Sequence, residues 1–94
     1  MREYELIYVV QPDLDEATLV SVIDRVNDLI KASNGEIIKT ERWGKRKLAY
    51  PVRKLTEGFY IFSLMKLDPS ASIELKRNIK FIEQIIRLSI ILSK

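Results

Sequence analysis

Phe59-Tyr60-Ile61-Phe62-Ser63-Leu64-Met65-Lys66-Leu67 is apolar at both its odd and its even positions. A strand with one wet face alternates apolar and polar residues; one that is apolar on both faces belongs in the middle of a sheet, covered on both sides. The stretch therefore predicts a central strand, and the segments around it must supply its neighbours. Leu55 to Gly58, just before it, reads as a turn.

The strongest neighbour in composition lies immediately upstream. Lys39 to Lys54, KTERWGKRKLAYPVRK, carries seven Lys or Arg against the single acid Glu41, with Trp43 and Tyr50 set among them. Residues 1–38 are net −5, this stretch is +6 and residues 55–94 are +2, so the modest total of +3 conceals a dipolar chain. The segment reads as a strand beginning near Glu36. Gly44 suggests a bulge, and Pro51, which cannot donate to a ladder, restricts it to a sheet edge.

Further out, Arg2 to Val10 alternates as a strand, with Tyr4, Leu6, Tyr8 and Val10 on one face and Glu3, Glu5, Ile7 and Val9 on the other. Asp13 and Glu16 resemble a capping box, and Leu19, Val22, Ile23, Val26 and Ile30 form the stripe of a helix running to about Ala32. Asn34 or Gly35 supplies its left-handed stop. Asp68-Pro69 opens a second helix that reaches about Phe81 and buries Leu75 and Ile79, with Ala71 and Ile82 beside them. Ile85 to Leu92 is the last strand, with Ile86, Leu88, Ile90 and Leu92 on one face and Ile85, Arg87, Ser89 and Ile91 on the other.

The order strand, helix, strand, strand, helix, strand is that of a split βαβ unit. It predicts an α+β, ferredoxin-like sandwich over residues 1–94: one domain, a four-stranded antiparallel sheet with both helices on one face and the first and third strands in the centre. The uncovered face would then carry Ile7, Val9, Tyr60, Phe62, Leu64, Ile85, Arg87 and Ile91. So much contiguous apolar surface is expected to be covered by a partner.

The chain has no Cys and no His. It therefore lacks a disulfide framework, the usual soft-metal ligands and the side chain best suited to proton transfer near neutral pH. Asp13, Asp15 and Glu16 are explained as helix-start residues, and no nucleophile and base constellation stands out. No metal or cofactor site is therefore expected, and these features argue against an enzyme or a small-molecule substrate. The N-terminus is not a signal peptide and no apolar run is long enough for a membrane span. A charge run is most often a solvated edge that deters aggregation. Here its density, its aromatics and the open apolar face beside it favour nucleic acid, with Arg42, Lys45, Arg46, Lys47, Arg53 and Lys54 as phosphate contacts.

Gly44-Lys45-Arg46-Lys47-Leu48-Ala49-Tyr50-Pro51-Val52-Arg53-Lys54, followed by Glu57-Gly58-Phe59-Tyr60, resembles the hallmark segment of the bacterial small-subunit ribosomal protein S6 family. Arg2-Glu3-Tyr4-Glu5, the acidic helix start after Pro12 and the last strand entered through Ile85, Ile86 and Arg87 extend the resemblance over essentially the whole chain. It implies the ferredoxin-like fold and a structural, non-catalytic role in the cytoplasmic small ribosomal subunit. It further implies binding to the central domain of small-subunit (16S) rRNA as a heterodimer with ribosomal protein S18. On that resemblance Arg2, Arg46, Lys47, Lys54 and Arg87 face RNA, while Ile7, Val9, Tyr60, Phe62, Leu64, Ile85 and Ile91 contribute the protein-partner surface. The sequence stops at Lys94, without the acidic C-terminal extension some members carry.

Two other readings remain. An RNA-recognition-motif module shares the element order, but Glu57 and Ile61 stand where its third-strand signature needs a basic residue and a second aromatic. A ferredoxin-like homodimer that binds a ligand is the other, because fold does not fix function.

Overall fold

The computed structural model describes residues 1–93. Its elements are β1 (Arg2–Val10), α1 (Glu16–Ala32), β2 (Glu36–Val52), β3 (Leu55–Leu67), a 3-10 turn (Pro69–Ala71), α2 (Ser72–Lys80) and β4 (Ile85–Leu92). The four strands form one antiparallel sheet in the order β2-β3-β1-β4, which puts β1 and β3 in the centre as the ferredoxin-like reading requires. Tyr4, Leu6, Tyr8 and Val10 of β1 and Ile61, Met65 and Leu67 of β3 pack with Leu19, Val22, Val26 and Ile30 of α1 and Leu75 and Ile79 of α2. Each such burial is worth roughly 1.5–3 kcal/mol before the entropy of ordering is charged against it.

The helix ends show how local chemistry fixes the crossovers. The N-cap of α1 is Asp15, not Asp13: its carboxylate accepts a 2.8 Å bond from the Thr18 amide. That bond holds the Asp15 carboxyl below its ordinary range. At the other end Asn34 adopts φ 60°, its amide donates to the Lys31 carbonyl, and the Gly35 amide donates to the Ile30 carbonyl. These are the two bonds of a Schellman stop. Before α2, Asp68 accepts from the Ser70 amide and the chain makes one 3-10 turn before the α-helix begins at Ser72.

Two further details differ from the sequence reading. The turn between β2 and β3 is Arg53-Lys54, not Leu55 to Gly58. Val52 pairs with Leu55 and both turn residues have positive φ, 51° and 65°, the signature of a type I′ hairpin. Thr56, Glu57 and Gly58 look like turn chemistry but lie inside β3. Gly58 is there for close approach, since a Cβ at this position would collide with the Val9 side chain.

The second difference is in β4. Val9 faces Arg87 while Val10 faces Ile85, so Ile86 is a bulge residue. The bulge shifts the alternation by one. Ile85 enters the main core instead of the open face, and Ile86 joins Val9 and Leu48 in a small second cluster on the opposite side of the sheet. As the sequence reading expects of a sheet with both helices on one face, β3 is covered by this chain on one side only. Ile61, Ser63, Met65 and Leu67 are buried toward the helices, whereas Tyr60, Phe62 and Leu64 are half-buried on the other face.

Candidate nucleic-acid interface

The long strand β2 presents its side chains on both sides of the sheet edge, and the pairing with β3 decides which goes where. Arg42 faces Ile61, Lys45 faces Phe59 and Lys47 faces Glu57; Arg46, between them, faces Gly58. The register shifts between Arg42 and Gly44, where Gly44 sits at φ 90°, a conformation open to glycine at no steric cost. That bulge turns Trp43 onto the open face. Its ring stacks on Phe62 at 5.2 Å with an interplanar angle of 4°.

Arg42 is turned the other way and makes a fork with Glu16 of α1, at 2.7 and 2.8 Å. Its guanidinium also lies 5.5 Å from the centre of the Phe59 ring. The hydrogen bond from Arg42 holds the Glu16 carboxyl below its ordinary value of 4.5. The pair's contribution is therefore present above that pH and is lost as the pH falls through the lowered value. Lys39 is also spoken for, 3.4 Å from Glu41, whose other oxygen accepts from the Trp43 indole nitrogen.

Other cations are held by neutral groups. Arg46 lies 5.3 Å from the centre of the Trp43 ring, and Arg87 of β4 lies 4.7 Å from that of Tyr50. Arg53 donates to the backbone carbonyl of Glu83 at 3.1 Å. An aromatic face or a carbonyl fixes where a guanidinium points without cancelling its charge, so these three remain available to an anion. Lys54 stands beside Arg53 at the hairpin tip. Tyr50 is 57 % exposed, which leaves ring surface free to stack.

Seven of the eight cations proposed from the sequence thus lie on β2, its turn or the start of β4. Arg2 does not join them. It faces Leu67 at the opposite end of β1 from Val9 and Arg87, roughly 23 Å away at the rise of an extended strand. Arg42 is present but already paired.

The apolar candidates divide in the same way. Ile7, Tyr60, Phe62 and Leu64 are half-buried and Ile91 is 53 % exposed. Together they leave an open apolar strip beside the basic edge. Val9 is not part of it: the hairpin folds Leu48 over it, leaving Val9 4 % exposed. Ile85 lies in the main core. The cover that Leu48 provides does not show in the sequence pattern, where it directly follows the cations Lys45, Arg46 and Lys47. Among the described residues no group of His, Cys, Asp or Glu could hold a metal ion, and no helix is long and apolar enough to cross a membrane.

Fold and site together define a small α+β sandwich protein with one cationic strand edge next to a half-covered sheet face. The model of the family "Ribosomal protein S6" matches residues 3–92. The small ribosomal subunit protein bS6 of Clostridioides difficile is 42% identical over 93 residues, covering 99% of this chain and 100% of its own. That of Caldanaerobacter subterraneus is 42% identical over 91 residues, covering 97% and 96%. The crystal structure of 30S ribosomal protein S6 from Thermotoga maritima superposes with a TM-score of 0.90 at 30% identity, covering 98% of this chain and 87% of that one. The chain belongs to the ribosomal protein S6 family and is a structural protein, not an enzyme.

Proposed function

We propose that this chain binds the central domain of small-subunit (16S) rRNA through its basic hairpin, as a heterodimer with ribosomal protein S18, within the cytoplasmic small ribosomal subunit. The observation that carries this reading is the way Arg46 and Arg87 are held on aromatic rings while Arg42 is neutralised by Glu16. Charge that is oriented but uncompensated on one edge suits a phosphate backbone, and Tyr50 offers a stacking surface for a base or ribose. Cations of this kind release counterions on binding, which gives affinity that is strong, sequence-tolerant and salt-sensitive. Specificity then comes from RNA shape and from a second protein on the apolar strip of Ile7, Tyr60, Phe62, Leu64 and Ile91.

Filter binding of a central-domain rRNA fragment tests the reading. The chain alone is expected to bind weakly and the mixture with S18 tightly, with an affinity that falls steeply as salt is raised. Equal affinity with and without S18 would sink the heterodimer.

A further inference from the structure

Where β4 begins, the end of α2 and the tip of the β2–β3 hairpin close around a groove of about 270 Å³ lined by Arg53, Lys80, Ile85, Ile86, Arg87 and Leu88. Three cations from three separate elements meet there, and no acid lines it. Two of the three are oriented in advance. Arg53 is tied to the Glu83 carbonyl at 3.1 Å and Arg87 is seated over Tyr50 at 4.7 Å. Lys80 stands in the last turn of α2, where a cation is favoured by the helix dipole. Its ammonium is exposed and takes part in no ion pair among the described residues.

The backbone around the groove is shaped at a cost that suggests use. Arg53 sits at φ 51° and Lys54 at φ 65°, in a turn whose ordinary residues are Asn and Gly. L-residues with long side chains are strained there, and strain of this kind gathers at functional sites. With Arg53 at the turn, the guanidinium reaches across to Glu83.

We propose that Arg53, Lys80 and Arg87 form a subsite for one backbone phosphate of RNA, with Ile85, Ile86 and Leu88 as the apolar floor for the adjoining ribose. It rests on the RNA-binding reading above and extends it around the end of the sheet to the helix layer, to a lysine that no feature of the basic stretch marks out. The two guanidiniums supply planar paired donors and the lysine a point charge, the combination suited to a tetrahedral anion. A phosphodiester is favoured over an acidic protein segment because the groove continues the uncompensated cations of the hairpin, whereas the apolar strip lies on the open face of the sheet.

The test is a salt titration of rRNA-fragment binding by the full chain together with S18, comparing wild type with Lys80→Gln, Arg53→Gln and Lys31→Gln. The first two are expected to weaken binding on the order of tenfold each and to reduce the slope of log K against log salt by about 1. Lys31→Gln, in the last turn of α1 and outside both the basic edge and the groove, is expected to leave the slope unchanged. Lys80→Arg and Arg53→Lys should restore the slope, which separates lost charge from misfolding. Wild-type slopes for Lys80→Gln and Arg53→Gln would overturn the subsite while leaving RNA binding by the hairpin intact. Weakened association with S18 at unchanged RNA affinity would overturn it in favour of an acidic protein segment. Absence of RNA binding by the wild-type mixture would overturn the functional reading and the subsite with it.

Discussion

Tyr8 places a hydroxyl in the main core, beneath α1, where it finds no hydrogen-bond partner among the described residues; the carbonyl oxygen of the Asn27 side chain is in the same position. Burial pushes the Tyr8 hydroxyl far above its ordinary range, and the charge of Asp24 adds to the shift, so the group stays neutral at every physiological pH. A buried donor without a partner keeps its desolvation cost and gains nothing in return. Tyr8→Phe removes the hydroxyl and keeps the ring, and is expected to stabilise the protein by about 1 kcal/mol. Urea unfolding that shows a loss of this size would mean that the hydroxyl is satisfied in solution. The alternation of β1 announces Tyr8 as a core residue, but nothing in a one-dimensional pattern says whether its oxygen meets a donor.

At the scale of elements, the β2–β3 hairpin is where local propensity and use part company. Gly58 reads as a turn residue in sequence, yet it belongs to a strand because Val9 occupies the space its side chain would need. The true turn is built from Arg53 and Lys54, residues that no propensity argument selects for positive φ. Replacing them by Asn and Gly relieves a cost of roughly 1 kcal/mol per residue. The double variant Arg53→Asn, Lys54→Gly is expected to melt several degrees higher, since 1 kcal/mol moves a domain of this size by about 4–8 °C. It is also expected to bind rRNA less well. A variant that melts higher and binds as tightly would mean that the turn carries its cations for no RNA-related reason. The same limit explains β4. Periodicity identifies the strand, but a bulge at Ile86 leaves no mark in composition, and one extra residue moves Ile85 from one face of the sheet to the other.

Across the whole molecule, element order, sheet order and the open face were legible because they follow from a few robust patterns: two amphipathic helices, a strand apolar on both sides, and an edge strand loaded with charge. What was not legible is how charges are distributed in space. Seven cations in a row look equivalent as letters, yet the structure neutralises Arg42 and Lys39 against acids, orients Arg46 on Trp43, and sends Arg53 to a distant carbonyl. The outcomes for Arg42 and Arg53 depend on contacts between residues 26 and 30 positions apart in the chain, and those for Lys39 and Arg46 on how the strand turns its side chains. Two hydrophobic clusters of unequal size result. The larger joins both helices to the sheet, while the smaller holds only Val9, Leu48 and Ile86 as buried members, with Val52, Leu55 and Tyr60 against it. So small a cluster anchors the hairpin more weakly than the main core anchors the rest, and local opening free energies follow the number of buried apolar contacts. Amides between Leu48 and Gly58 are therefore expected to exchange with solvent deuterium through an opening that leaves β1 and the helices protected. Protection there equal to that of β1 would show a single cooperative unit. In this molecule the end that presents most of the charge is also the end expected to open alone, and on that expectation a bound polyanion would tighten a clasp that solvent alone leaves partly undone.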